Sequence, residues 1–306
     1  MPRGLGAQPE GRLPFGKREA VAPVESENPV VLVPKLMGIR LVGSGDASGV
    51  ELKVPGLFGD GRVETVGLTV RLDGLAKVLA PFMGAPLTES SLDRLIETVL
   101  RYYEGEDRPV TDIVVPDQDL TEGTIEMVVV DGVVGSVGMQ TGGIFNDELL
   151  SGAIHLQRGE ILLSSELQRH LDWFNRNPFR PAALYAAPGK NQGEADLVFA
   201  LSERRAWRVY GGYENSGAEV SGEHRFLTGF NWGDAFGHDT LLSYQFTSAE
   251  SPEELSAHAV SLEIPFHSRH QFLRINGSLA DIATEGYLAG ILLESSGSSW
   301  QLGASY

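Results

Sequence analysis

Cysteine is absent from the 306-residue chain, which excludes disulfide bonds, thiolate metal sites and a cysteine nucleophile. An apolar run of the roughly 18 residues that a membrane-spanning helix requires is also absent. Basic residues are few, since 24 lysines and arginines stand against 41 acids and give a net charge of −17. A protein that binds nucleic-acid phosphates presents a basic face, so this balance argues against a nucleic-acid partner.

The first 30 residues contain no apolar segment of the kind found in a signal peptide. They are rich in proline, glycine and charged residues, a composition that buries too little apolar surface to fold alone. We therefore interpret residues 1–30 as a disordered leader or linker. The length of the whole chain suggests about two domains.

Residues 31–132 show the periodicity of a unit that mixes strands and helices. The predicted order is one strand, two helices and two strands, at residues 31–43, 72–84, 87–105, 109–116 and 123–132. Thr88 has the side chain of a helix N-cap, and Leu95 and Val99 lie on the apolar stripe of the helix that follows it. This order predicts a β-α-α-β-β module.

A second, shorter copy of the same order follows between residues 133 and 205. Its strand, two helices and two strands are predicted at residues 133–140, 145–156, 163–178, 180–189 and 194–203. Leu167 and Leu171 share one stripe of the second helix, and Pro178 ends it. An internal repeat of this kind is typical of a modular array.

Beyond residue 206 the helical period disappears, and strands alternate between apolar and polar residues. In one of these strands the apolar and polar faces consist of Leu242, Tyr244 and Phe246 against Ser243, Gln245 and Thr247. A soluble sandwich would bury the apolar face against a second sheet, whereas a membrane barrel would turn it toward lipid. Aromatic residues near strand ends, such as Trp207, Trp232 and Trp300, favour the barrel because they suit a membrane interface.

The sequence offers no legible catalytic or cofactor site. Residues 11–18 match the spacing of a P-loop, but Arg18 replaces the required serine or threonine and no strand precedes the segment. His267 and His270 form an H-x-x-H pair, which we interpret as two solvated turn residues rather than metal ligands. The acids of residues 117–122 lack the spacing of a calcium loop and are interpreted as turn caps. We therefore predict a protein that is not an enzyme and holds no metal or cofactor.

Three segments carry a likeness to a known family, at residues 86–132, 171–203 and 211–247. The first contains a helix with a tyrosine pair, then a Pro-x-Gln turn at Pro116 and Gln118, then a strand that ends on Asp-Gly. The second contains the element Phe-Asn-Arg-Asn-Pro at residues 174–178. The third contains a turn between alternating strands, with Glu214, Asn215, Ser216, Gly217 and Gly222.

In this order the segments resemble the two-partner secretion transporters of the bacterial outer membrane, of the haemolysin-activator type. The resemblance implies two α+β POTRA modules of β-α-α-β-β order, followed by antiparallel strands of a transmembrane β-barrel. The expected domains are a leader at 1–30, POTRA 1 at 31–132, POTRA 2 at 133–205 and the N-terminal part of a barrel at 206–306. We count about six or seven barrel strands, and a closed bacterial barrel has at least eight. The family's Val-Arg-Gly-Tyr motif and plug helix are not visible, so we expect a fragment with an incomplete barrel.

The resemblance implies protein translocation across the outer membrane without nucleotide or cofactor. POTRA modules in the periplasm would capture an unfolded, secreted, adhesin- or haemolysin-like exoprotein, and the barrel would pass it outward. The expected partners are this client and outer-membrane lipid, and the expected state is a monomer. We expect capture by strand addition to a module edge, because backbone hydrogen bonds tolerate many client sequences. The candidate client-binding residues are Thr111, Ile113, Val115, Ala183 and Tyr185.

Two other functions stay open at the level of sequence. One is a barrel-protein insertase of the same superfamily, although such proteins usually carry more POTRA modules than two. The other is a surface β-sandwich adhesin with helical accessory modules. A surface β-sandwich protein would be extracted from membranes without detergent, whereas extraction of a barrel would require detergent.

Overall fold

The structure is a computed structural model that describes residues 30–44, 56–58, 61–216, 223–288 and 291–306. The leader predicted for residues 1–30, apart from Val30, lies outside these ranges, as does the P-loop-like segment at 11–18. The turn residues Gly217 and Gly222 also lie outside them. Within the described ranges no helix is both long enough and apolar enough to cross a membrane.

The first α+β unit packs two helices against a mixed sheet. In chain order its elements are β1 (Val31–Val33), β2 (Gly38–Gly43), β3 (Gly56–Phe58), β4 (Gly61–Val66), α1 (Leu72–Leu79), β5 (Leu87–Thr88), α2 (Glu89–Gly105), β6 (Thr111–Val114) and β7 (Thr124–Asp131). The sheet order is β3-β4-β2-β7-β6, with β2 parallel to β4 and β7 and with β6 antiparallel to β7. The helices bury Leu75, Leu95 and Val99 in one core with Ile39 and Leu41 of the sheet.

Local chemistry sets the ends of two elements in this unit. The predicted opening strand is interrupted after β1, because Pro34 cannot donate a ladder hydrogen bond and Leu36 N–H donates instead to Ala85 O at 2.9 Å. Thr88 is the N-cap of α2, as predicted. Its hydroxyl accepts from Ser91 N–H at 3.2 Å, and its own N–H donates to Ser91 Oγ at 2.7 Å. The reciprocal pair satisfies two backbone groups that the helix start would leave open.

The second α+β unit repeats the strand order of the first. Its elements are β8 (Val133–Gln140), α3 (Asp147–Ser151), α4 (Ser164–Asn175), β9 (Ala182–Pro188) and β10 (Glu194–Leu201). The sheet order is β8-β10-β9, in which β10 is parallel to β8 and antiparallel to β9. The corresponding order β2-β7-β6 has the same directions, so both units place their second-to-last strand at a sheet edge. Helix α3 is shorter than predicted, because Asn146 caps its start and the poor helix former Gly152 follows its last residue.

The long sheet consists of six antiparallel strands that pair in chain order. These strands are β11 (Trp207–Glu214), β12 (Arg225–Ala235), β13 (Thr240–Ser248), β14 (Leu255–Phe266), β15 (Gln271–Leu288) and β16 (Ile291–Ser305). One row of paired residues across all six strands is Val209, Phe230, Tyr244, Val260, Gly277 and Leu302. The adjacent row is Tyr210, Gly229, Gln245, Ala259, Ser278 and Gln301. The registers therefore align the predicted alternation into one apolar face and one polar face.

The apolar face of the long sheet is open. Val209 is 67% exposed, Val260 44% and Leu302 70%. In the described part of the chain no second sheet covers these residues, whereas a soluble sandwich would bury them. A contiguous exposed apolar surface of this extent is typical of contact with a membrane or a partner.

Candidate functional site

Strand β6 lies at the edge of the first sheet, where sequence analysis predicts client capture. Thr111 pairs with Asp131 and Ile113 pairs with Val129, both on β7. The Thr111 side chain is buried, and Ile113 and Val115 pack against the core of the unit. Val115 directly follows the last residue of the strand. These side chains therefore face inward, and an added client strand would contact the β6 backbone rather than them.

The outward residues of β6 include an acid that modifies this edge. Asp112 and Val114 are exposed, and Asp112 Oδ1 accepts a hydrogen bond from Ile113 N–H at 2.9 Å. A charged side chain on an edge strand is a common protection against uncontrolled strand pairing. Client pairing at β6 would have to compete with this local contact.

Strand β9 lies at the edge of the second sheet and contains the other predicted client-binding residues. Ala183 pairs with Ala200 and Tyr185 pairs with Val198 of β10. Ala183 is buried and Tyr185 is half-buried. Both predicted strands therefore occupy sheet edges among the described elements, and client binding at either edge stays a prediction.

The Pro-x-Gln turn of the first unit has a defined role in the sheet. The Gln118 amide donates to Glu126 O at 2.8 Å and to Pro116 O at 3.1 Å, and Gln118 Oε1 accepts from Glu126 N–H at 2.7 Å. Strand β6 does not extend as far as Glu126. The Gln118 side chain therefore makes the hydrogen bonds to β7 that a neighbouring strand would make at this position. The predicted turn cap is also present, since Asp119 Oδ1 accepts from Thr121 N–H at 3.0 Å. Hydrogen bonds to Thr121 lower the pKa of the Asp119 carboxyl.

The Phe-Asn-Arg-Asn-Pro element at residues 174–178 forms one side of a junction between the second unit and the long sheet. Asn175 pairs with both backbone groups of Ala182, at 2.8 and 3.1 Å, and so closes the loop between α4 and β9. Asn177 reaches across to the sheet and donates to Gly233 O at 2.7 Å and to Asp239 Oδ1 at 2.6 Å. One asparagine therefore shapes the loop, and the other attaches it to the turn between β12 and β13.

A buried ion pair lies at the centre of the junction. Arg180 is 0% exposed and Asp239 is 2% exposed. Arg180 Nε donates to Asp239 Oδ1 at 2.8 Å and Nη2 donates to Oδ2 at 2.5 Å, a bidentate arrangement. Arg180 Nη1 also donates to Phe174 O at 2.8 Å. The geometry compensates for the removal of both charges from water, which a looser contact could not do.

A second ionic contact reinforces the junction along β14. Glu263, 6% exposed, lies 3.0 Å from Arg176 Nε and accepts two hydrogen bonds from Arg274, at 2.5 and 3.1 Å. The Arg176 guanidinium also lies over the Trp173 ring, 4.3 Å from its centroid. Nothing local in the sequence indicates that these acids are buried, because Asp239 lies in a short polar turn and Glu263 lies on the polar side of an alternating strand.

The prediction that His267 and His270 are solvated turn residues is wrong. His267 is 9% exposed, and its Nδ1 accepts from Trp173 Nε1–H at 3.3 Å. Burial lowers the pKa of His267 to about 4, against the opposing effect of the Asp239 charge. His270 stacks on Trp173 with a centroid separation of 5.0 Å, and its Nε2 lies 2.7 Å from Ala153 O. His267 is buried and His270 is half-buried against the second unit, which a local sequence pattern does not reveal.

No model of a known protein family matches the chain. Among curated proteins, it is 25% identical over 181 residues to the heme/hemopexin transporter protein HuxB of Haemophilus influenzae (strain 86-028NP). That match covers 56% of this chain and 32% of the relative. It is also 25% identical over 149 residues to the outer membrane transporter CdiB-2 of Burkholderia pseudomallei, covering 47% of this chain and 24% of the relative. The matched part of the chain thus spans about a third or less of these relatives.

Two solved structures share the fold of nearly the whole chain. CdiB from Escherichia coli aligns with a TM-score of 0.65 at 15% identity, over 96% of this chain and 50% of that one. CdiB from Acinetobacter baumannii aligns with a TM-score of 0.61 at 15% identity, over 95% of this chain and 53% of that one. The predicted resemblance to two-partner secretion transporters, which combine POTRA modules with a β-barrel, is confirmed by these relatives and this fold.

Proposed function

We propose that the chain acts in two-partner secretion, in which periplasmic POTRA modules capture an unfolded exoprotein and an outer-membrane β-barrel passes it outward. In this proposal residues 31–132 and 133–205 are two POTRA modules, and residues 206–306 supply barrel strands. The observation that carries the proposal is the open apolar face of the long sheet, which follows two units that share the three-strand arrangement β2-β7-β6 and β8-β10-β9. The curated relatives are both named as transporters, which supports a role in transport rather than catalysis.

The apolar face would contact lipid, and the polar face would line the pore. Val260 and Ala259 test this because they are exposed neighbours on β14 that belong to the apolar and polar rows respectively. An arginine on the lipid face near the bilayer midplane costs about 2–4 kcal/mol, whereas a polar lumen accepts it. We expect Val260→Arg to reduce the membrane-integrated fraction of the protein and Ala259→Arg to leave it unchanged. The measurement is the fraction that resists alkaline extraction and is released by detergent.

Equal retention of the two arginine variants in membranes would contradict the assignment of faces. Extraction of the parent protein without detergent would contradict the barrel and favour a soluble β-sandwich. We also infer a monomer in detergent, as sequence analysis predicts, and native mass spectrometry of the protein in detergent micelles measures this directly.

Client capture is proposed to occur by strand addition at β6, β9 or both. The support is that both strands lie at sheet edges and that backbone pairing needs no particular client side chain. A photoreactive residue at Val114, which is exposed on β6, would contact an added strand. The matched control is the same residue at Arg101, exposed on α2. With an exoprotein of the two-partner type co-expressed, we expect cross-links from position 114 and none from position 101.

Removal of the local protection of β6 provides a second measurement. In Asp112→Ala the Ile113 N–H loses its contact with the Asp112 carboxylate, so we expect more cross-linking from position 114 at the same export rate. Normal export with no cross-link from β6 would show that capture occurs elsewhere. A photoreactive residue at position 185 then tests client binding at β9 separately.

A further inference from the structure

Three histidines from separate parts of the chain meet at the edge of the junction. His155 lies between α3 and α4, His170 lies on α4, and His270 lies in the turn between β14 and β15. One ring nitrogen of each residue lies within 4.8 Å of the corresponding nitrogens of the other two. His155 is exposed, His170 is buried and His270 is half-buried, so the cluster is accessible from one side.

Hydrogen bonds fix the tautomers of two of these histidines. His170 Nδ1 lies 2.8 Å from Glu166 O, and His270 Nε2 lies 2.7 Å from Ala153 O. A carbonyl oxygen only accepts hydrogen bonds, so each of these ring nitrogens carries the proton. His170 Nε2 and His270 Nδ1 are therefore left with lone pairs. Histidine ligands of metal ions show this arrangement, with the second ring nitrogen held by a backbone carbonyl.

The protein around the cluster removes His170 wholly and His270 partly from water and leaves His155 exposed. Burial lowers the pKa of both His170 and His270. The positive charge of Arg169 acts on both histidines, and it is paired with Glu166 at 2.8 Å. On the protein side Trp173 stacks against His270, with ring planes inclined by 15°. The cluster is thus a set of nitrogen donors with an apolar wall behind it and solvent in front.

We propose that His155, His170 and His270 form a binding site for a divalent transition-metal ion of the zinc class. Imidazole suits zinc, copper and nickel, and three histidines leave a fourth position for water or another ligand. With zinc–nitrogen distances of about 2.0–2.1 Å, the ring nitrogens would have to approach one another. The exposed His155 side chain can supply that movement. His170 Nε2 would exchange its present bond from His155 N–H, 3.2 Å long, for the metal.

A metal ion at this site would join the second α+β unit to the long sheet. Two ligands belong to the unit and the third belongs to the β14–β15 turn, so coordination spans residues 155–270. An ion that binds only the assembled arrangement stabilises it by mass action. The stability of the junction would therefore depend on the concentration of the free metal ion.

The test uses the full chain, purified in detergent with an affinity tag that contains no histidine. Equilibrium dialysis against Zn²⁺, followed by elemental analysis, should give one bound ion per chain. His155→Ala should weaken binding about 100-fold or more, and because His155 is exposed the variant should still fold. His155→Cys should retain binding, since thiolate is also a zinc ligand. His238→Ala, at an exposed turn histidine outside the cluster, is the matched control and should bind like the parent.

Two spectroscopic measurements identify the ligands. Co²⁺ should give the visible absorption of a nitrogen-ligated tetrahedral ion, and Cu²⁺ should quench the fluorescence of Trp173, which stacks on His270. Both signals should disappear in His270→Ala and His155→Ala. Unchanged stoichiometry in these two variants, or no binding by the parent at about 10 μM free Zn²⁺, would overturn the proposal. Binding is measured on the isolated protein, so the result is independent of the proposed role in secretion.

Discussion

Replacing Asp239 by asparagine removes the negative charge that the fully buried Arg180 faces. Asp239 adopts a left-handed backbone conformation with φ 54°, which asparagine tolerates better than most residues. Asp239→Asn therefore changes the charge while preserving shape and turn geometry. The variant retains one side-chain oxygen but places an amide group against the donors of Arg180.

The expected cost follows from the burial of the pair. Arg180 has no exposure to water, and its remaining contact, with Phe174 O, does not neutralise a charge. Breaking a buried ion pair by removing one partner costs about 3–5 kcal/mol, because the other charge is left uncompensated. If this cost falls on the local opening of the junction, amide exchange there should accelerate roughly 100- to 4,000-fold.

Hydrogen–deuterium exchange across residues 177–182 and 233–240 measures this opening directly. The first unit, through strands β6 and β7, should keep its parent exchange rates and serves as an internal reference. A control variant, Glu97→Gln, breaks the exposed i,i+4 contact with Arg101 and should cost only about 0.3–0.5 kcal/mol. Acceleration of less than tenfold in Asp239→Asn would show that Arg180 finds water or another partner, and the reasoning about the buried pair would fail.

Three further changes probe the fold. Gln118→Ala leaves the Glu126 N–H and C=O without their side-chain partner and should destabilise the first unit by about 1–3 kcal/mol, read from its urea midpoint, with no effect on the second unit. His267 has a lowered pKa, so the unfolded state binds its proton more tightly. The contribution of His267 to stability should be present above pH 6.5 and fall by about 3 kcal/mol in total toward pH 4. His267→Gln should remove this part of the decline in thermal unfolding and leave the part that comes from His170 and His270, whose pKa values are also lowered. Gly233→Ala places a Cβ 2.2 Å from the Phe179 ring and should loosen the junction in the same exchange experiment, whereas an unchanged rate would mean that the ring relocates freely.

Periodicity was sufficient to predict most elements, because the signals that set them are local. The Thr88 cap, the apolar stripe of α2 and the alternation of β13 each depend on residues within a few positions of one another. The repeated order of strands and helices also follows from such patterns, and it led to the two edge strands at β6 and β9. The interruption after β1 was missed, although Pro34 marked it, because an apolar run on both sides resembled one continuous strand.

The junction could not be predicted, because its contacts join residues far apart in the chain. Arg180 and Asp239 are separated by 59 positions, and Trp173 and His267 by 94. The same limit applies to His270, whose partner Ala153 lies 117 positions away. In the sequence these polar residues look like ordinary solvated residues. Only the packing of the whole folded chain determines which of them are buried.

The sequence by itself determined where the strands and helices lie, which face of each strand is apolar, and that an α+β repeat precedes an antiparallel sheet. Tertiary structure alone decided that Asp239 and His267, in two turns of this sheet, are buried beside the second unit, where they become partners of arginine and tryptophan. The physical reason is the distance along the chain over which each effect acts. Backbone propensity and side-chain alternation act over a few residues, whereas burial of a charge depends on every segment that packs around it.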